Sequence, residues 1–135
     1  MYKNILVPMA LDHDISPKTL GVARALAGED GKITAIHIHE APQGSVAAYL
    51  SEDLVREAQA GARASLKEKT ARLEDVTAEL VVGHAYRSII EYAETKGIDC
   101  IVIGSHKPGL SDFLLGSTAA RVVRHAPCAV HVCRA

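Results

Sequence analysis

Apolar residues in this chain fall into two alternating kinds of segment. Short solid runs such as Ile5-Leu6-Val7 and Ile101-Val102-Ile103 suit strands buried on both faces. Between them lie segments whose apolar positions recur every three or four residues, the spacing of a helix with one buried face. The runs predict strands at Lys3 to Met9 (ending at Pro8), Lys32 to His39, Val76 to Val82, Ile98 to Ile103 and Cys128 to Cys133. The first helix starts at Ser16-Pro17, a capping hydroxyl followed by proline at the first helical position, and buries Leu20, Ala23 and Ala27. It ends in Gly28 to Gly31. Glu40 to Leu50, with Pro42 and Gly44, reads as a loop. A long helix then runs from Ser51 to about Leu73, with Leu54, Ala58, Ala62, Leu66 and Leu73 on its inner face. A third helix spans Tyr86 to Lys96, with Ile89, Ile90 and Ala93 inward and Gly97 as its stop. The last covers Ser117 to His125, with Ala119, Val122, Val123 and Ala126 inward. Strands alternating with helices predict one α/β domain over residues 1–135: an open parallel five-stranded sheet with helices on both faces.

Composition refines this picture. With one Phe and no Trp the core must be aliphatic, as in two-sided parallel sheets. A net charge of −1 argues against a nucleic-acid partner or a membrane surface. The charge is uneven, since Lys107, Arg121, Arg124 and Arg134 face only Asp112 from Gly104 onward, which makes +3 there and −4 elsewhere. Cys100, Cys128 and Cys133 form no CxxC and read as buried free thiols of a reducing compartment. No run is long and apolar enough for membrane insertion, and Met1-Tyr2-Lys3-Asn4 leads directly into a strand; the expected location is cytoplasmic.

The candidate chemistry lies in Gly104 to Thr118, between an apolar strand and a fresh helix. Backbone N–H groups at a helix start lack intrahelical partners, and the helix dipole favours an anion there. Gly104 and Gly116 allow close backbone approach, Ser117 offers its N–H and hydroxyl, and Thr118 its N–H. His106 and Lys107 are within the same loop as candidate phosphate partners. His37 and His39 project to one face of a strand without further ligands at metal-binding spacing. Asp12, His13 and Asp14 form a polar loop that holds candidates for a base or a magnesium ligand. Arg121, Arg124 and His125 read as the solvated face of the last helix.

Four segments in order resemble the universal stress protein family, A type: Lys3-Asn4-Ile5-Leu6-Val7-Pro8, Ala35-Ile36-His37-Ile38, Ile103-Gly104-Ser105-His106 through Leu114-Leu115-Gly116-Ser117-Thr118, and Val122-Val123-Arg124-His125-Ala126-Pro127-Cys128-Ala129-Val130. The resemblance implies a sheet of order 3-2-1-4-5, whose first and fourth strands meet at the topological switch point where open α/β sheets bind ligands. Nucleotide-binding members carry Gly-x2-Gly-x9-Gly-Ser/Thr. Gly104, Gly116 and Ser117 match it. Lys107 stands at the second glycine, the loop is one residue shorter, and Gly109 beside Pro108 is the replacement glycine. Ala10 stands where the family usually has an aspartate. What the resemblance implies is an ATP-binding regulatory protein, with AMP or ADP as alternatives and Mg²⁺ alongside. Ile103 and Gly104 would face Pro8 and Met9 across the crevice, with Val7, Pro8 and Ile38 as an apolar wall for adenine. The family also implies a homodimer through Ala129 to Cys133, and a regulated protein such as a transporter or kinase. A dimer of the same family without nucleotide and a slow ATPase are the competing readings. There is no GxxxxGK[ST] motif, and no residue is assigned a catalytic role.

Overall fold

The computed structural model describes residues 1–40, 42, 44–105 and 115–134. Along them run β1 (Asn4–Pro8), α1 (Pro17–Ala27), β2 (Lys32–His39), α2 (Ser45–Tyr49), α3 (Glu52–Thr70), β3 (Val76–Val82), α4 (Ala85–Thr95), β4 (Cys100–Gly104), α5 (Ser117–His125) and β5 (Ala129–Cys133). The strands form one parallel sheet of order β3-β2-β1-β4-β5. The expected fold class and strand order are therefore observed.

Alternation along the strands divides the core between the two faces. Leu6, Ile36, Ile101 and Ile103 pack with Ile89 and Ala93 of α4 and Ala119 and Val122 of α5. Ile5, Val7, Cys100 and Val102 turn to the opposite face and meet Ala23 and Ala27 of α1. Further along that face, Met9 and Ala35 meet Leu66 of α3. In β1, Ile5 and Leu6 are wholly buried and Val7 is 1% exposed, so both faces of the strand are covered.

The helix ends follow from their sequences. Ser16 Oγ accepts the Thr19 N–H at 3.1 Å, and Pro17 occupies a position whose N–H would have no partner. Gly28 closes α1 at φ +65°, a conformation that disfavours any residue with a Cβ. Gly31 has a separate reason: a Cβ there would lie 2.5 Å from the Ala27 carbonyl oxygen. Glu40, beyond the end of β2, caps α4 by accepting the Ala85 N–H at 3.1 Å. At the opposite end of the strands, the Asp99 carboxylate accepts the N–H groups of Lys3 (2.9 Å) and Asn4 (3.0 Å), tying the start of β1 to the turn before β4.

Four expectations are corrected. The stretch 40–50 contains a short helix, α2, although Pro42 and Gly44 read as breakers; both precede it. The inner face of α3 is rotated by one residue from the Leu54-Ala58 line. Leu54 is 53% exposed and Ala58 is exposed, whereas Val55 and Ala62 are half-buried and Leu66 and Thr70 buried. Thr70 can be buried because its hydroxyl donates to the Leu66 carbonyl at 2.8 Å. In α5 the buried line is Ala119 and Val122, and Val123 is 47% exposed. Arg121 and His125 are not simply solvated. The Arg121 guanidinium lies 5.2 Å above the Tyr86 ring, and His125 stacks on that ring at 5.9 Å, joining α4 to α5.

These placements separate substitutions that the periodicity alone treats alike. Leu6→Ala should cost about 2–5 kcal/mol of unfolding free energy in urea denaturation, and Leu54→Ala less than about 0.5 kcal/mol. The second prediction concerns acid. Partial burial pushes the Asp99 carboxyl up, but the Lys3 and Asn4 N–H groups and the Lys3 charge together outweigh it and hold it below the usual range. A depressed carboxyl stabilises the fold above its unfolded-state value of about 3.9 and loses that contribution as pH falls through the folded value. Asp99→Asn should therefore lower stability at neutral pH and flatten the loss of stability below about pH 4.

Candidate functional site

The crevice begins where β1 and β4 part. Their ladder pairs Ile5 with Cys100 and Leu6 with Ile101, while β1 remains paired with β2 as far as Pro8. The cause is Pro8. Backbone groups alternate between the two neighbours of a central strand. The Met9 N–H donates to Ile36 of β2 at 2.9 Å, and Asn4 O accepts from Asp99 beside β4 at 3.0 Å. Odd positions of β1 therefore face β2 and even ones face β4, so the N–H that proline lacks is one that would have continued the β1–β4 ladder.

On the β4 side, Gly104 is exposed and the next residue, Ser105, is buried at 2% exposure. The Ser105 N–H donates to Cys133 O at the end of β5 (2.9 Å), and its carbonyl accepts from the Gly116 N–H at the start of α5. Ser105 is thus the junction of β4, β5 and α5. Sequence reasoning passed over it in favour of its neighbours Gly104 and His106; its position directly after the strand, ahead of a loop that must return to the same edge, was the available signal.

α5 begins with Gly116 as N-cap (φ −57°, ψ 152°), and among the described residues no side chain caps it. The first N–H with a helical partner is that of Ala120, bonded to Gly116 O at 2.8 Å. The N–H groups of Ser117, Thr118 and Ala119 precede it at the positive end of the helix dipole. Ser117 is exposed, and Gly116 and Thr118 half-buried. This is the arrangement that receives a phosphate or carboxylate.

The other expected site residues are distributed unevenly. Pro8 and Ile38 are half-buried at the ends of β1 and β2, with Ile38 packed against the α4–α5 core. Met9 (8% exposed) and Ile103 (6%) lie under the same edge. The Val7 side chain belongs to the α1-side core, so it is part of the floor beneath the crevice rather than a surface within it. His106, Lys107 and Gly109 lie outside the described residues. Asp14 Oδ1 is held by Lys69 Nζ at 3.2 Å, and Asp12 lies 3.6 Å from His13, so both loop carboxylates have partners next to them. The His37 ring bonds through Nδ1 to Met9 O at 3.0 Å, which fixes the backbone just past Pro8. A groove of about 240 Å³ between α3 and β3, lined by Arg63, Leu66, Lys67 and Thr70 among others, is separate from the crevice.

Fold and crevice together define an open parallel α/β domain with an anion-receptive helix start at its switch point. The model of the universal stress protein family matches residues 1–134, and the chain belongs to that family. It is 32% identical to universal stress protein G of Escherichia coli O157:H7, across 99% of this chain and 100% of the relative. The solved structure of the universal stress protein UspA from Lactobacillus plantarum superposes with a TM-score of 0.76 at 26% identity, covering 98% of each chain. A universal stress protein solved in complex with cAMP shares the fold with a TM-score of 0.69 at 21% identity, over 98% of this chain and 97% of that one.

The start of α5, with no side-chain cap among the described residues, can be tested without a ligand. The Gly116 backbone angles suit an N-cap aspartate, which would accept an α5 N–H and add negative charge at the positive end of the dipole. Gly116→Asp should raise unfolding free energy by a few tenths to about 1 kcal/mol in denaturant melts. Destabilisation would mean that this terminus is already satisfied.

Proposed function

We propose that this protein binds an adenine nucleotide in the crevice between β1 and β4, with the phosphates at the start of α5, and that occupancy regulates its contacts with other proteins. The observation that carries the reading is the α5 terminus, which no side chain among the described residues caps, beside the break that Pro8 makes in the sheet. Proteins of the same fold solved with cAMP, with dAMP (from Archaeoglobus fulgidus) and with AMP (from Arabidopsis thaliana) support the ligand class. ATP with Mg²⁺ is the form proposed here. With Asp12 and Asp14 beside basic partners, the ion would depend mainly on the nucleotide's own phosphates. Gly104, Gly116, Ser117 and Thr118 are the proposed phosphate contacts, and Pro8, Met9, Ile38 and Ile103 the apolar surround. His106, Lys107 and Gly109 complete the loop in this proposal.

We further propose that the chain forms a homodimer through β5. Its outer edge has no neighbour within the sheet, and an open edge with apolar residues invites a partner strand. Ser105 gives a route between ligand and partner, since it bonds the last residue of β5 and the first turn of α5 at once. A partner such as a transporter or kinase would then sense the loaded form.

Titration calorimetry on nucleotide-stripped protein tests the binding. Ser117 occupies the first helical position, where proline removes an N–H and a hydroxyl without breaking the helix. Ser117→Pro should weaken ATP by about tenfold or more while leaving the thermal midpoint nearly unchanged. Absence of binding for ATP, ADP and AMP up to about 1 mM, or wild-type affinity in Ser117→Pro, would sink the proposal.

A further inference from the structure

The geometry of β5 constrains how two copies can join, and its consequence rests on the β5 dimer proposed above. The Ser105 N–H donates to Cys133 O, so Cys133 turns its backbone groups toward β4. By alternation His131 and Ala129 do the same, leaving Val130 and Val132 to present N–H and C=O at the open edge. Side chains alternate as well: Val130 and Val132 pack on the α5 side, and His131 shares the other face with Cys133.

A closed two-fold pair of edge strands runs antiparallel. Paired residues must then match in both backbone direction and face. That condition allows only registers in which a residue of odd number meets one of odd number, or even meets even. Among these, only one brings all of Ala129–Cys133 into the ladder. It sets Val130 against the partner's Val132, Ala129 against the partner's Cys133, and His131 against the partner's His131. Shifting either way leaves only Ala129–His131 or His131–Cys133 paired. Since Val130 and the partner's Val132 exchange the hydrogen bonds, the histidines form the non-hydrogen-bonded pair, whose Cα atoms approach to about 4.5 Å with side chains closest.

We propose that self-association through β5 is controlled by pH, because full-length pairing places His131 on the two-fold axis directly opposite the partner's His131. Like charges directly opposite one another destabilise a ladder, and imidazole is the side chain that ordinarily gains charge between about pH 8 and pH 5. The neutral pair is compatible with the dimer and the doubly charged pair is not, so association weakens as pH falls.

The surroundings of His131 do not offset this. On its face β4 contributes Cys100 and Val102; burial first, then the nearby Cys128 and Asp99, push the Cys100 thiol up to about 11, so it stays neutral throughout this range. Cys133 is buried on the same strand. From α1, Lys18 Nζ donates to Arg134 O at 2.7 Å just beyond the end of β5, so the charged side chains at that end of the strand are basic. The Asp99 carboxylate is occupied with the Lys3 and Asn4 N–H groups. Among the described residues no carboxylate forms an ion pair with His131.

Sedimentation equilibrium of the full chain at about pH 8 and about pH 5.5 tests this, with a circular dichroism spectrum at each pH to establish that the fold is intact. The dimer dissociation constant should rise about tenfold or more on acidification. His131→Gln should hold the constant near its high-pH value at both, and His131→Lys should weaken the dimer at both. A wild-type dimer insensitive to pH, or one whose pH response survives in His131→Gln, overturns the inference while leaving the β5 dimer in place. A protein monomeric at every pH, or a dimer unaffected by Val130→Pro, which deletes an edge donor, overturns the β5 reading and this inference with it.

Discussion

The structure is built around the placement of β1 between two parallel neighbours with both faces covered. Its hydrogen bonds run to β2 on one side and β4 on the other, and Ile5, Leu6 and Val7 supply core to α1 below and to α4 and α5 above. A strand in that position has no surface to offer a ligand except its carboxyl end. The end is made usable by a single covalent feature, the missing N–H of Pro8. The β2 side of the ladder can continue to Pro8 because the lost donor does not point there, whereas the β4 side cannot. A crevice between two strands of an otherwise continuous sheet is the result, and it costs only the hydrogen bonds beyond Leu6.

The far wall of the crevice is economical in the same sense. Ser105 anchors three elements through its backbone alone, so the chain leaving β4 and the chain entering α5 are brought to one point without depending on the sequence of the loop between them. That is a physical reason why Lys107 and Pro108 can stand where the family pattern differs: the helix terminus is positioned by Gly116 and Ser105, at the two ends of the segment. It also places the start of α5, where the nucleotide is proposed to bind, and the outer strand β5 on one shared residue. Gly116 and Cys133 are thereby linked through two hydrogen bonds to Ser105.

Much of this was legible in the sequence, for identifiable reasons. Apolar runs, solid in β1 and β4 and interrupted by polar residues in β2 and β3, located every strand, and Ser16-Pro17 and Gly97 marked real helix limits. Strand order came from the family resemblance and not from periodicity, which is silent on neighbours. The inner face of α3 was misread only in its first half, because Leu54 and Ala58 satisfy the spacing to Ala62 and Leu66 as well as Val55 and Gln59 do. Only the position of the sheet beneath the helix decides between two such lines, and Thr70 enters the core through a hydrogen bond that no hydropathy pattern records. Val123 was misassigned for a similar reason, since the short helix α5 meets the sheet along a line only Ala119 and Val122 occupy. At the site, Gly116, Ser117 and Thr118 were readable as a helix start; the junction at Ser105 was not, because its role is carried by backbone groups every residue has.

The sheet has two open edges, and their chemistry differs at the decisive position. β3 spans Val76–Val82, and the Gly83 N–H donates to His39 O, so the odd-numbered residues of β3 face β2 and the even ones face outward. By the same matching of direction and face, full-length two-fold pairing of β3 would set the exposed Glu79 against the partner's Glu79 in the close, non-hydrogen-bonded position. Two carboxylates there repel throughout the neutral range, and a charge at the centre of an edge strand is a recognised way to keep it single. At β5 the corresponding residue is an imidazole, which is compatible with pairing when neutral and opposes it when charged. The contrast favours β5 over β3 as the edge for the proposed pairing, and within that proposal a change of charge in the neutral range falls on β5 alone.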